Sequence, residues 1–85
     1  MEKYWKVFLV IDEDITFTNT FIIEREESYL IFDEVQKNIS VLNKEHLPKN
    51  FFVIKSTKEK TLKALKNTFN SLELPKELNY IKHKF

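Results

Sequence analysis

The sequence predicts an α+β fold in two layers. A small, mostly antiparallel sheet, opened by an N-terminal β-hairpin, carries two helices on one face. Two observations point there. The first 24 residues alternate with period two through β-branched and aromatic residues, and later stretches place apolar residues at helical intervals. Length agrees: 85 residues make one domain, 1–85, with a single modest core. The expected order is ββαβα, closed by a final strand or a short helix.

Tyr4–Ile11 reads as the first strand. Trp5, Val7, Leu9 and Ile11 share one face; Tyr4, Lys6, Phe8 and Val10 share the other. The first set is expected to meet the helices. Phe8 and Val10 are then expected to point away, beside Ile22 and one of Phe51 and Phe52. Asp12-Glu13-Asp14 is a polar break, and Ile15–Glu24 alternates again, so the two runs form a hairpin around three loop residues. Its left-handed position falls to Asp12 or Asp14, because a short polar side chain tolerates that region.

Glu26 to Lys44 reads as one long helix, with Ile31 or Phe32, Val35, Ile39 and Leu42 at helical spacing and Glu26 and Glu27 at its positive end. A competing reading makes Ser28–Phe32 a strand and Asp33-x-x-Gln36 the capping box of a shorter helix. Leu47-Pro48-Lys49-Asn50 is turn material and Phe51–Lys55 a strand. Ser56-x-x-Glu59 reads as a capping box for a helix over 57–71, with Leu62, Leu65, Phe69 and Leu72 on its apolar side. Pro75 prevents that helix from running on. Leu78–Phe85 alternates weakly, as a strand or a short helix.

Composition narrows the chemistry. There is no glycine and no cysteine, and only one alanine and one arginine. Without glycine, phosphate-cradling loops, the EF-hand turn and the nucleophile elbow cannot be built in their usual form. Without cysteine, disulfides, thiolate zinc and iron–sulfur sites are excluded. Gly, Ala, Arg and Pro (two residues), all scarce, have GC-rich codons, whereas Lys and Ile are abundant. A low-GC genome, including a mobile element of one, accounts for the bias. No apolar run reaches the 18 residues of a membrane span and no basic leader opens the chain, so a cytoplasmic protein away from membranes is expected.

Candidate catalytic and metal-binding residues reduce to a few. Asp12, Glu13 and Asp14 offer oxygen ligands for a hard cation, but adjacent residues point apart, and a solvated tip explains them better. His46 and His83 lie far apart, and Ser28, Ser40, Ser56 and Ser71 fit helix ends and surfaces. No catalytic, metal or cofactor site is therefore expected.

Surfaces carry what remains. Residues 1–45 hold ten acids and five bases; residues 46–85 hold nine lysines and three acids. Sequence halves are not surfaces, but if folding keeps them apart the molecule is dipolar, and two binding modes follow. The first is a protein partner, or a second copy, meeting Phe8, Val10, Asp12, Glu13, Asp14, Glu26 and Glu27. That suits a small non-catalytic inhibitor, immunity protein, antitoxin or regulator. The alternative is sequence-independent nucleic-acid binding through Lys55, Lys58, Lys60, Lys63 and Lys66, extended by Lys76, Lys82 and Lys84, with Tyr4, Tyr80 or Phe85 as stacking faces. A single arginine, Arg25, argues against base-specific readout.

Overall fold

A computed structural model describes residues 2–46 and 52–84. Five strands form one antiparallel sheet: β1 (Lys3–Ile11), β2 (Asp14–Glu24), β3 (Ser28–Asp33), β4 (Asn38–Asn43) and β5 (Phe52–Lys55). Their order across the sheet is β4-β3-β2-β1-β5. Helix α1 (Lys58–Thr68) and a C-terminal 3-10 segment (Lys76–Lys84), kinked at Leu78, complete the second layer. A single 3-10 turn, Lys44–His46, follows β4. The α+β class with helices on one face is the expected one. Phe51 and Phe85 lie outside the described residues, as do residues 47–50, where the sequence predicts a turn.

The hairpin loop has two residues, not three. Asp14 already belongs to β2, opposite Ile11, and Asp12 and Glu13 alone make the turn with φ of 49° and 71°. Positive φ at both central positions is the hairpin turn whose twist matches the strands, and it usually recruits Asn-Gly. Here an aspartate and a glutamate occupy it. The shorter loop reverses the predicted faces, because a one-residue change of register moves every side chain to the other side. Tyr4 lies opposite Ile23 and Lys6 opposite Phe21. Tyr4, Lys6, Phe8 and Val10 therefore share the helix side, and Trp5, Val7, Leu9 and Ile11 share the other with Ile22. This corrects the sequence reading, which had the two sets exchanged.

A bulge of two extra residues in β2 interrupts the hairpin. Lys6 pairs with Phe21, but Phe8 pairs with Phe17, so Thr18, Asn19 and Thr20 together face Val7. Thr18 anchors the bulge: its hydroxyl donates to the Val7 carbonyl at 2.8 Å and accepts from the Thr20 amide at 3.2 Å. The Asn19 carbonyl accepts from the Glu34 amide at 3.0 Å, joining the bulge to the end of β3.

No helix forms between Glu26 and Lys44; two strands stand there instead. Leu30 and Phe32 alternate with Tyr29 and Ile31, and the first pair is buried against the helices. A helix over this stretch would have left the outer edge of β2 unpaired, a cost that apolar spacing alone does not reveal. Asp33 does cap, but it caps a turn. One carboxylate oxygen accepts from the Val35 and Gln36 amides at 2.9 and 2.8 Å, and the other accepts from the Thr20 hydroxyl at 3.0 Å. These donors, the Gln36 amide first, hold the carboxyl below its usual range against the opposing effect of burial. Lys37 (φ 55°) then turns the chain into β4.

Helix α1 starts one residue later than its sequence signature suggests. The Thr57 hydroxyl accepts from the Lys60 amide, making Thr57 the N-cap, while Ser56 bonds the hydroxyl of buried Thr61 at 3.0 Å. The helix stops at Thr68, where Phe69 turns extended (φ −124°, ψ 150°). The Asn70 side chain then accepts from the amides of Leu72 and Glu73. Ala64, Leu65 and Phe69 join Phe21, Ile23, Leu30, Phe32, Leu74, Leu78 and Ile81 in one core. Phe21 and Phe32 stack at 5.3 Å, and Phe69 meets Phe32 edge-on at 6.1 Å.

Two substitutions test these assignments. Leu65 is fully buried and Leu72 is 92% exposed. In denaturant titration Leu65→Ala costs about 3 kcal/mol, and Leu72→Ala stays within about 0.5 kcal/mol. Comparable losses would contradict the early helix end. Glu13→Gly removes a left-handed non-glycine residue and raises stability by about 1 kcal/mol; an unchanged or lower melting temperature would rule out strain at that turn.

Candidate protein-interaction surface

The β1–β2 hairpin projects beyond its neighbours. β5 begins opposite Phe8 and β3 ends opposite Thr20, so among the described residues 9–16 form a two-stranded arm. Its side chains are apolar on both faces. Val10, Ile15 and Phe17 line the helix side beyond the reach of α1, and Leu9 and Ile11 line the other. Val10 is 50% exposed, Ile11 55%, Phe17 55% and Ile15 63%. At the root of the arm the Phe8 ring meets Phe17 edge-on at 6.3 Å and Phe52 at 5.8 Å. The aromatic cluster stiffens the root and leaves Phe52 half exposed. Exposed apolar residues gathered in this way mark an interaction site more often than isolated ones do.

The arm ends in Asp12, Glu13 and Asp14, all exposed. Phe8, Val10 and these three carboxylates thus lie along one hairpin, with Phe8 at its root and the carboxylates at its tip. Glu26 and Glu27 do not: they sit in the β2–β3 turn, at the far end of eleven-residue β2, about 30 Å from the tip. No group of three His, Asp or Glu suited to a metal ion occurs among the described residues. The side chains of His46 and His83 lie outside the described part.

Lys58, Lys60, Lys63 and Lys66 are exposed along α1, and Lys55 is exposed at the end of β5. Lys60, Lys63 and Lys66 follow one another at i+3 spacing, but Glu59 occupies the same face, one turn before Lys63, and dilutes the positive stripe. Lys55 and Lys60, with Lys6, line a hollow of about 190 Å³ beside Ser56 and Thr57. Lys6 also lies 5.0 Å over the Phe21 ring, covering the edge of the core.

Two polar clusters escape any reading of the sequence. Near the start of β1, Glu2 accepts hydrogen bonds from the hydroxyls of Tyr4 and Tyr80 and lies 3.8 Å from Arg25 Nε. Arg25 donates through Nη1 to the Glu77 carbonyl at 2.7 Å and lies over the Tyr80 ring. The lone arginine therefore ties the C-terminal segment to the sheet. On the face opposite the helices, Glu24 accepts from Trp5 Nε1 at 2.9 Å and from Lys44 Nζ at 3.2 Å, and Lys44 lies over the Tyr29 ring. Burial opposes ionisation of Glu24, yet Trp5 and Lys44 hold its carboxyl below the usual range. Only the pairing of Lys3 and Tyr29 with Glu24 gathers these groups, and that requires the register.

No known protein family, curated protein or solved structure matches this chain. Among the described residues, no helix is long and apolar enough to cross a membrane. The class is therefore defined by architecture alone: a small α+β protein with a projecting, apolar, acid-tipped hairpin.

The Glu2 cluster has a signature at high pH. Burial first, then the charge and hydrogen bond of Glu2, push the Tyr4 hydroxyl from 10.0 up to about 12. The same causes raise Tyr80. Between these values the unfolded chain releases protons that the folded chain keeps, so stability falls as pH rises from 10 toward 12. Denaturation midpoints should drop over that window in the native protein, and the drop should be shallower in a Tyr4→Phe, Tyr80→Phe variant. Equal slopes would count against the cluster.

Proposed function

We propose that this protein is a non-catalytic binding protein of the inhibitor, immunity, antitoxin or regulator type. It acts by inserting its β1–β2 arm into a complementary cleft of a protein partner. The observation that carries the reading is the exposure of Val10, Ile11, Ile15 and Phe17 on both faces of one projecting ribbon. An apolar centre with a charged end resembles the general anatomy of interfaces, in which buried aromatic and aliphatic anchors supply affinity and rim charges speed encounter. The acidic tip favours a partner whose cleft is basic, including one that otherwise holds nucleic acid.

A second reading rests on the hollow lined by Lys6, Lys55 and Lys60 and on the lysines that continue along α1. There the phosphates of a nucleic acid would be bound without sequence preference.

The two readings separate by experiment. Val10→Asp with Phe17→Asp alters exposed positions and leaves the fold intact by circular dichroism. It abolishes capture of a specific host protein, and that protein, once purified, binds the native chain with one-to-one stoichiometry in calorimetry. A partner whose affinity ignores both substitutions would refute the arm as the contact. Under the nucleic-acid reading, anisotropy at low salt shows binding to mixed single-stranded DNA or RNA. That binding weakens steeply with added salt and is lost in Lys60→Glu with Lys63→Glu. No binding at low salt eliminates it.

A further inference from the structure

We infer that the outer edge of β4 pairs with β4 of a second copy, joining two sheets into one of ten strands. The argument starts from which backbone groups face outward. The Lys44 amide donates to the Glu27 carbonyl at 3.1 Å, and the β3–β4 register places Ser28 opposite Asn43 and Ile31 opposite Ser40. Hydrogen-bonded pairs alternate along an antiparallel ladder. Asn38, Ser40 and Leu42 therefore bond to β3, and Ile39, Val41 and Asn43 turn their N–H and C=O groups away from it. Among the described residues no strand lies beyond β4.

This edge lacks the usual protection. Natural edge strands are blunted by charged side chains, proline or bulges. Asn-Ile-Ser-Val-Leu-Asn carries no charge and no proline, and its pairing with β3 is regular along all six residues. The other edge, β5, is shorter. The Ser56 amide bonds to the Tyr4 carbonyl, and the same alternation leaves only Val53 and Lys55 facing outward there.

The occupant is a second copy because the edge is complementary to itself. An antiparallel pairing with a two-fold axis at Val41 sets Val41 against Val41 of the second copy and Ile39 against its Asn43. All outward N–H and C=O groups of Ile39, Val41 and Asn43 then find partners at once. A two-fold axis at Ser40 would leave Asn43 facing Lys37, outside the strand. The favoured register also brings Lys37 to the level of Glu45 of the second copy, twice by symmetry, with both residues exposed in the single chain. Helices of both copies lie on the same side of the joined sheet, and the arms stay free. The contact is short, so the dimer is weak and depends on concentration. The inference stands apart from the proposed arm function, because it uses no residue of the arm.

Sedimentation velocity of the full chain over a wide concentration range tests it. The native protein shifts from monomer to dimer. Val41→Pro removes the donor at the two-fold axis, at a position whose N–H does not serve β3, and raises the dimer dissociation constant at least about tenfold. Lys37→Glu or Glu45→Lys alone weakens the dimer about threefold or more, and the two together restore it. The charge exchange decides the matter should Val41→Pro fail to fold. A monomer at every concentration overturns the inference. So does a dimer indifferent to these changes, or one dissociated by Val10→Asp with Phe17→Asp.

Discussion

The pairing of β1 with β2 is the constraint on which the rest depends. A two-residue turn sets Ile11 opposite Asp14, and every later contact inherits that register. It places Phe21 and Ile23 on the side where Leu30 and Phe32 continue the apolar layer, and where α1 and the C-terminal segment close the core. A hairpin one residue longer would turn Trp5 and Val7 toward that side and Tyr4, Lys6, Phe8 and Val10 away from it. The turn achieves this without glycine, by holding Asp12 and Glu13 at positive φ. The local penalty is on the order of 1–2 kcal/mol per residue, small beside the burial of a whole core face.

The same register creates the surface. Because β3 stops opposite Thr20 and β5 begins opposite Phe8, the hairpin outruns its support. The bulge held by Thr18 marks the boundary between the ribbon packed under the helices and the ribbon that projects. Apolar residues that would be core in a wider sheet become the exposed faces of an arm. The acidic end then follows from the turn, since Asp12 and Glu13 serve as turn residues and as charge together. The lysines of α1 sit on the separate helix layer, while Lys55 in β5 joins Lys6 of the first half at one hollow.

Much of the fold was legible in the sequence, and the failures have physical causes. The hairpin, β5 and α1 announce themselves by period and by capping residues. The stretch from Glu26 to Lys44 misleads because Ile31, Val35, Ile39 and Leu42 satisfy a helical spacing while Leu30 and Phe32 also alternate. What decides between them is the unpaired edge of β2, a partner distant in the chain. Ser56 misleads on a smaller scale: Thr57 is the cap, and Ser56 is drawn instead to buried Thr61. Of the proposed contact residues, Phe8, Val10, Asp12, Glu13 and Asp14 converge because they are neighbours along one hairpin. Glu26 and Glu27 do not, because β2 carries them to the opposite end.

By itself the sequence determined the class of fold, the exclusion of glycine- and cysteine-dependent chemistry, and the separation of acidic and basic halves. These rest on composition and local period, which need no knowledge of distant neighbours. Tertiary structure alone decided which face of β1 meets the helices, that residues 28–33 and 38–43 are strands, and that Glu2 gathers Tyr4, Arg25 and Tyr80 from distant parts of the chain. Each of those outcomes depends on register between strands or on contacts across many residues. A side chain's period is written in the chain; the partner that makes one face the inside is not.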